Sequence, residues 1–384
     1  MKTLQDVADA NNLIEAFRKA KEDSAWKESV QRYEAHLLEN TWELQQEILN
    51  GTYRQKPFFE FDIHERGKVR HIKSLYVRDR VLQRSLCDNV LSDLYRYCIY
   101  DNGASQKGKG VDFARRRLEL HLKRYIRKHG AEGYILKIDF RKFFDNIPHK
   151  ELLDLVFTKI KDEGLQNLIR YIIGTFRIDV SYMSNEEYRQ AQSVPFDSLK
   201  YCEASRGIRT GEKYLNVSMG IGAQVSQIAG IVYPTRIDAY CKYVKGCKFY
   251  GRYMDDIYII HDNKEFLKQL CGEIKTLARK MKMFVHTDKT QIFKLSKGFV
   301  FLQIRYRVTQ TGKTIKVLSK KSTVRERRRL KRLAKLAEKG VAIDVRQCYK
   351  SWRGNAIKYH AWHRIQALDK LVLELLRGDV KNDT

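Results

Sequence analysis

The stretch Lys248-Phe-Tyr-Gly-Arg-Tyr-Met-Asp-Asp-Ile-Tyr-Ile-Ile260 constrains this chain more than any other. Aromatic and β-branched runs flank the acidic pair Asp255 and Asp256, which predicts a β-hairpin with carboxylates at its tip. Adjacent carboxylates repel, and two buried strands do not normally hold them together unless a cation offsets their charge. The tip is a candidate metal site, with a solvated Asp-Asp turn as the plain alternative.

A second carboxylate bears on that choice. In Gly133-Tyr-Ile-Leu-Lys-Ile-Asp-Phe-Arg-Lys-Phe-Phe-Asp-Asn-Ile-Pro-His149, the run Tyr134 to Ile138 predicts a short apolar strand. Asp139 stands at its C-terminal end, and Pro148 sits where a helix through Glu151 to Phe157 can start. If this strand lies beside the hairpin, Asp139 meets Asp255. Two or three carboxylates holding a pair of Mg²⁺ ions make a site for in-line phosphoryl transfer, so the expected chemistry is nucleotidyl transfer. Asp139, Asp255 and Asp256 are the expected catalytic metal ligands, with Mn²⁺ as a substitute ion; Asp256 alternatively supports the site by charge alone.

The chain has 384 residues, enough for two or three subdomains with sizeable cores. Its formal net charge of +28, with 31% charged and 11% aromatic residues, predicts a folded nucleic-acid binder rather than a disordered tail. Charge alone does not separate an enzyme from a non-catalytic RNA-binding protein, the reading from another class. The seven cysteines are scattered without a Cys-x-x-Cys pair, which predicts reduced thiols and no zinc site. No apolar run reaches the roughly 18 residues of a membrane span, and the N-terminus lacks a signal-peptide pattern. A cytoplasmic protein without a membrane partner is expected.

Tyr-Met-Asp-Asp at 253 to 256, with the Asp139 segment upstream, resembles the palm of a prokaryotic reverse transcriptase, and further blocks follow in order along the chain. The resemblance implies an α/β (α+β) right-hand polymerase. Its expected parts are N-terminal helices and fingers over 1–132, a palm of antiparallel sheet and helices over 133–310, and a basic α-helical thumb over 311–384. Within the palm, a polar stretch at about 177–215, including Asn185-Glu-Glu and Ser205-Arg-Gly207, reads as an insertion.

The first 50 residues predict helices with Leu13, Phe17, Leu38, Trp42, Leu44 and Ile48 among their apolar positions. Pro57 to Ile72 predicts two strands around a turn near Glu65 to Gly67, where the resemblance gives Arg70 the grip on the incoming triphosphate; a solvated strand arginine is the other reading. Tyr76 to Leu86 and Asn102 to Gly110 resemble two further blocks, and Lys107 and Lys109 of the latter are expected to approach a phosphate chain. The run Ala114 to Lys128, with seven Arg or Lys, reads as a basic helix face toward template RNA. Phe144 falls at the aromatic gate that excludes a 2′-hydroxyl, with core packing of Phe143 and Phe144 as the alternative.

Ile221-Gly222-Ala-Gln-Val-Ser226-Gln227 stands where most bacterial reverse transcriptases carry Gln-Gly-x-x-x-Ser-Pro, and it resembles the form of diversity-generating retroelements. Its glycines are expected to let backbone approach a nucleotide, against a tightly packed core helix. Lys289 matches a lysine near the leaving pyrophosphate. Phe299 to Tyr306 departs at Gln303 and Ile304 from the Phe-Leu-Gly-Tyr of the primer grip. From 311 onward, 20 Lys and Arg face 7 Asp and Glu. A helix with a capping box at Thr323 and Glu326 ends at Gly340, and a second helical region runs from Trp352 to Leu376. Arg327, Arg328 and Arg329 are expected to hold the nucleic acid by its phosphates. No nuclease motif or added DNA-binding domain is expected.

The implied partners are template RNA, primer and deoxynucleoside triphosphates, with a structured noncoding RNA and a small accessory protein as further candidates. A bacterial anti-phage defence reverse transcriptase working with a noncoding RNA is the second subclass.

Overall fold

The computed structural model describes residues 2–65, 67–192, 195–196 and 210–379. They form two compact units. One comprises Met1–Gly110, Lys137–Tyr258 and Lys268–Gln291; the other comprises Val111–Leu136, Ile259–Leu267 and Ile292–Thr384. This division differs from the three expected segments, chiefly in the helix Val111–His129, which groups with the C-terminal third. Its basic face is partly used internally: Arg115 donates to the Tyr359 hydroxyl at 2.8 Å and to the Leu302 carbonyl at 2.6 Å, and Glu119 pairs with Lys316 at 2.9 Å.

In the first unit, helices Leu4–Ala8, Ala10–Ala20, Glu28–Ala35 and Leu37–Leu49 bury Leu13, Phe17, Leu44 and Ile48, and Gly51 at φ +69° follows the last of them. Leu38 and Trp42 depart from the expected apolar stripe and lie in solvent, because helical periodicity turns Thr41, Leu44 and Ile48 inward instead. Strands β1 (Phe59–Glu65) and β2 (Lys68–Ser74) pair antiparallel with Glu65 opposite Lys68. Strands β3 (Tyr134–Ile138), β6 (Tyr250–Tyr253), β7 (Asp256–His261) and β8 (Gln291–Lys294) form a sheet in the order β6-β7-β3-β8.

The expected insertion has a small core of its own. Its short strands β4 (Ile178–Asp179) and β5 (Tyr214–Leu215) pair, and Ile178, Val180, Phe196 and Leu215 pack together. Asn185-Glu-Glu opens the helix Asn185–Ala191, capped by Ser184 and Glu187; Ser205-Arg-Gly207 lies outside the described residues. Asn146 fastens the insertion to the turn that carries Phe144, donating to the Phe196 carbonyl at 3.2 Å and accepting from its N–H at 2.8 Å.

In the second unit, β9 (Phe299–Phe301), β10 (Ile304–Val308) and β11 (Thr314–Leu318) form an antiparallel meander. Leu302 and Gln303 both adopt left-handed φ in the two-residue β9–β10 turn, where glycine or asparagine is usual. Helices Lys320–Ala337, Val345–Ile357 and Trp362–Asp379 pack around Leu330, Ala334, Tyr349 and Leu368. The first starts one turn before the expected capping box: Ser319 is the N-cap, its side chain accepting from the Ser322 N–H at 3.3 Å. Thr323 therefore sits inside the helix, its buried hydroxyl unpartnered. The expected second helical region is two helices.

His149, first residue of the helix His149–Phe157, is buried and its Nε2–H donates to the Ser218 carbonyl at 2.7 Å. Burial pushes its pKa down to about 4 from the ordinary 6.5, with nearby Lys73 acting in the same direction. The unfolded chain therefore binds this proton first, so the stability due to neutral His149 is full above pH 6.5 and is lost as pH falls toward 4. Between pH 7 and pH 5 the native protein is expected to lose about 2 kcal/mol more than His149→Gln, which keeps a donor without titrating. Urea midpoints at the two pH values check this; equal losses refute it.

Candidate active site

Strand β3 alternates Tyr134, Ile135, Leu136, Lys137 and Ile138, so Lys137 and Asp139 fall on one face by the two-residue period. β7 lies next to β3, and β6 and β7 are joined by the two-residue turn Met254–Asp255. Hydrogen bonds from the His286 N–H to the Asp139 carbonyl at 2.7 Å and from the Arg141 N–H to the Phe284 carbonyl at 2.7 Å fix the end of β3.

The sheet thus brings together the three carboxylates singled out in the sequence. Burial and the charge of Asp139 raise the pKa of Asp255, against smaller opposing effects of Lys289 and Lys68. Burial pushes Asp256 up to about 6, despite Lys137, whose Nζ stands 3.1 Å from Oδ1 and donates to Oδ2 at 3.3 Å. Lys289 Nζ pairs with Asp139 Oδ1 at 3.0 Å. The three carboxylates thus stand between two lysines, Lys289 on Asp139 and Lys137 on Asp256.

Gly220, Ile221 and Gly222 run along β2. The Lys73 N–H donates to the Ile221 carbonyl at 2.8 Å, and a Cβ on Gly222, at φ +128°, would stand 2.7 Å from the Lys73 carbonyl oxygen. The close approach expected here toward a nucleotide is thus made to the β2 backbone. Lys68 and Arg70 share one face of that strand; Arg70 is exposed and pairs with Glu65 at 3.2 Å. Phe143 is buried, as the core reading expects of it, and Phe144 is half-buried in the turn Phe144–Asn146. A Cβ on Gly230 would meet the Phe144 ring at 2.9 Å.

The block expected to approach phosphate does something else at its start. Asn102, Gly103 and Ala104 are buried, and the chain here bonds to β6, the Gly103 N–H to the Arg252 carbonyl at 2.9 Å and the Arg252 N–H to the Asp101 carbonyl at 3.1 Å. Lys109 donates to the carbonyls of Tyr100 and Asn102, while Lys107 is exposed. In the second unit Arg327, Arg328 and Arg329 are all exposed, Arg329 pairing with Glu326 at 3.2 Å.

Residues 55–325 match the family described as reverse transcriptase (RNA-dependent DNA polymerase). The chain belongs to the reverse transcriptases. Its α+β fold of helices and antiparallel sheets is that of this family. Among solved structures, apo telomerase from Candida Tropicalis truncated from its C-terminal domain is similar at 14% identity and a TM-score of 0.44, covering 73% of this chain and 60% of that one. Apo telomerase from the same organism is similar at 16% identity and a TM-score of 0.42, covering 73% of this chain and 53% of that one. No curated protein sequence matches the chain.

Reverse transcriptases use divalent metal ions, usually Mg²⁺. The residues of this reverse transcriptase fit such an ion. The donors are hard carboxylate oxygens, and Asp255 lies buried against the like charge of Asp139, which a cation would offset. Among the described residues no group of three or more His, Cys, Asp or Glu side chains is placed to hold a metal ion. Mg²⁺ seldom uses such a group, taking one or two carboxylates together with water and substrate phosphates. No helix among the described residues is long and apolar enough to cross a membrane.

Sequence reasoning missed Lys137, Arg252 and Asp238. Lys137 carried a signal, as a cation inside an apolar strand two residues before Asp139. Arg252 carried a weaker one, as a charge between Tyr250 and Tyr253.

Proposed function

We propose that this reverse transcriptase copies RNA into DNA, using Asp139 and Asp255 to bind the ions that drive nucleotidyl transfer. The observation that carries the reading is the meeting of these carboxylates at the ends of adjacent elements, close enough that one raises the pKa of the other. Bound metal supplies activation of the primer hydroxyl and charge stabilisation at the leaving pyrophosphate. Asp139 and Asp255 contribute oxygen ligands, and Asp256, tied to Lys137, sustains the negative potential beside them. Lys289, next to Asp139, offers a proton or a positive charge to the departing group. Phe144 lies under the nucleotide sugar and excludes a 2′-hydroxyl. Arg70 grips the triphosphate from the ribbon, with Lys107 and the thumb arginines Arg327, Arg328 and Arg329 on backbone phosphates.

In this reading residues 1–132 serve as N-terminal helices and fingers, 133–310 as palm and 311–384 as thumb. The partners are template RNA, primer and deoxynucleotides. The six described cysteines are free thiols, in keeping with a cytoplasmic protein.

The subclass reading is an error-prone enzyme of a diversity-generating retroelement, supported by the half-buried Ile221 between Gly220 and Gly222. Where related enzymes carry glutamine, isoleucine offers no hydrogen bond. Losing a polar contact worth roughly 1 kcal/mol, unequally for right and wrong pairs, changes discrimination by about tenfold or less. Ile221→Gln is expected to lower the error frequency, most clearly opposite template adenine, while sparing extension. Sequencing the products of both proteins on one RNA decides it, and equal error spectra favour the defence reading with its noncoding RNA.

A further inference from the structure

We propose that Arg252 is the positioning residue of the catalytic turn, locking it through the Gly230 and Ile231 carbonyls to the helix Gln224–Val232 beneath Phe144, with its charge met by a buried pair with Asp238 in the helix Thr235–Ala239. The inference rests on the polymerase reading above and adds a residue to it.

Arg252 lies in β6, three residues before Asp255, and its side chain and that of Asp238 are both fully buried. All five of its N–H donors are used. Nε donates to Asp238 Oδ1 at 2.8 Å, and Nη2 to Asp238 Oδ2 at 2.7 Å and to the Ile231 carbonyl at 2.8 Å. Nη1 donates to the carbonyls of Gly230 at 3.4 Å and Met254 at 3.2 Å. Asp238 is held in turn by the Tyr250 hydroxyl at 2.5 Å, and the Ile231 carbonyl also accepts from Asn102 at 3.2 Å.

Two ends of this network carry chemistry. Met254, whose carbonyl Arg252 holds, is in the left-handed region at φ +52°, a conformation that a side-chain-bearing residue keeps only when its surroundings hold it. That backbone turn aims Asp255. Gly230, at the other end, lies against the Phe144 ring. One guanidinium thus sets the turn that presents the metal ligand and the helix that seats the proposed sugar gate. Stability alone gives no reason for a charge here, since a buried ion pair is often matched or bettered by apolar residues of the same volume. Lysine keeps the charge but has three donors and no planar fork, so it can hold Asp238 and not all three carbonyls.

The test compares native protein, Arg252→Lys and Asp238→Asn by primer extension with Mg²⁺, by RNA affinity, and by hydrogen exchange of the metal-free protein across residues 250–258. Arg252→Lys is expected to lower kcat by ~10- to 100-fold with RNA affinity within about twofold of native, because misplacing a reacting group costs rate rather than remote binding. Exchange should rise in 250–258 and stay unchanged in the N-terminal helices. Asp238→Asn should shift both readouts in the same direction by less. A folded Arg252→Lys protein with native kcat and native exchange overturns the proposal, and so does failure of both variants to fold, which assigns the pair to stability alone. Native protein that extends no primer counts against the polymerase reading instead.

Discussion

Primer extension by the Asp139→Asn and Asp255→Asn proteins is expected to fall by on the order of 10³-fold or more, with the fold intact. Each substitution removes an anionic oxygen from the place where positive ions must sit, and several kcal/mol of transition-state stabilisation go with it. Stability should move the other way. Burial and Asp139 both raise the pKa of Asp255, so its ionised form at neutral pH strains the metal-free protein. Asp255→Asn relieves that strain, and its metal-free Tm should equal or exceed the native value. Added Mg²⁺ should raise the native Tm and leave that of Asp255→Asn nearly unmoved. Native extension rates in both variants would remove the assignment of these residues, whereas a lower Tm with lost activity would indicate damage to the fold.

Neutralising Arg327, Arg328 and Arg329 together should weaken binding to a primed RNA and flatten its salt dependence. Arg327 and Arg328 are exposed and have no ion-pair partner among the described residues, whereas Arg329 already pairs with Glu326. The variant is therefore expected to lose about two phosphate contacts rather than three. With a slope near 0.9 per contact, log affinity against log salt should become shallower by roughly 1.8. The difference between native and variant affinity would then change roughly tenfold between 50 and 200 mM salt. Glu326 is buried, so the variant's urea midpoint is measured alongside to separate a lost contact from a loosened helix. An unchanged slope in a folded variant places the nucleic acid elsewhere.

The sequence by itself determined the parts whose signal is local. The apolar run Tyr134 to Ile138 is a strand because its five residues suit no other element of that length, and β3 has those bounds. The hairpin at 250–261 follows from two β-branched and aromatic runs separated by an acidic turn. Their neighbouring positions entered the sequence reading only as a condition for Asp139 to meet Asp255, and the sheet order β6-β7-β3 fulfils it.

Tertiary structure decided what each polar group does once the elements meet. Three glycine-bearing and basic segments illustrate this. Gly222 admits the β2 backbone, Lys109 caps carbonyls of its own loop, and Arg115 joins its helix to Leu302 and Tyr359. In a sequence each reads as a phosphate contact, because a cation or a glycine declares what it can bind and not which acceptor the fold brings to it. The same holds for Ser319, which takes the N-cap from Thr323 because β11 ends one residue before it. Arg252 and Asp238 lie 14 residues apart in the chain, with a helix end, the helical turn Tyr240–Val244 and a loop between them. Asp238 gives no sign of burial, and the tyrosines flanking Arg252 give only a weak one, since an isolated charge is nearly always in water. Once the fold removes both from solvent, the cost of an unpaired buried charge requires each to find the other.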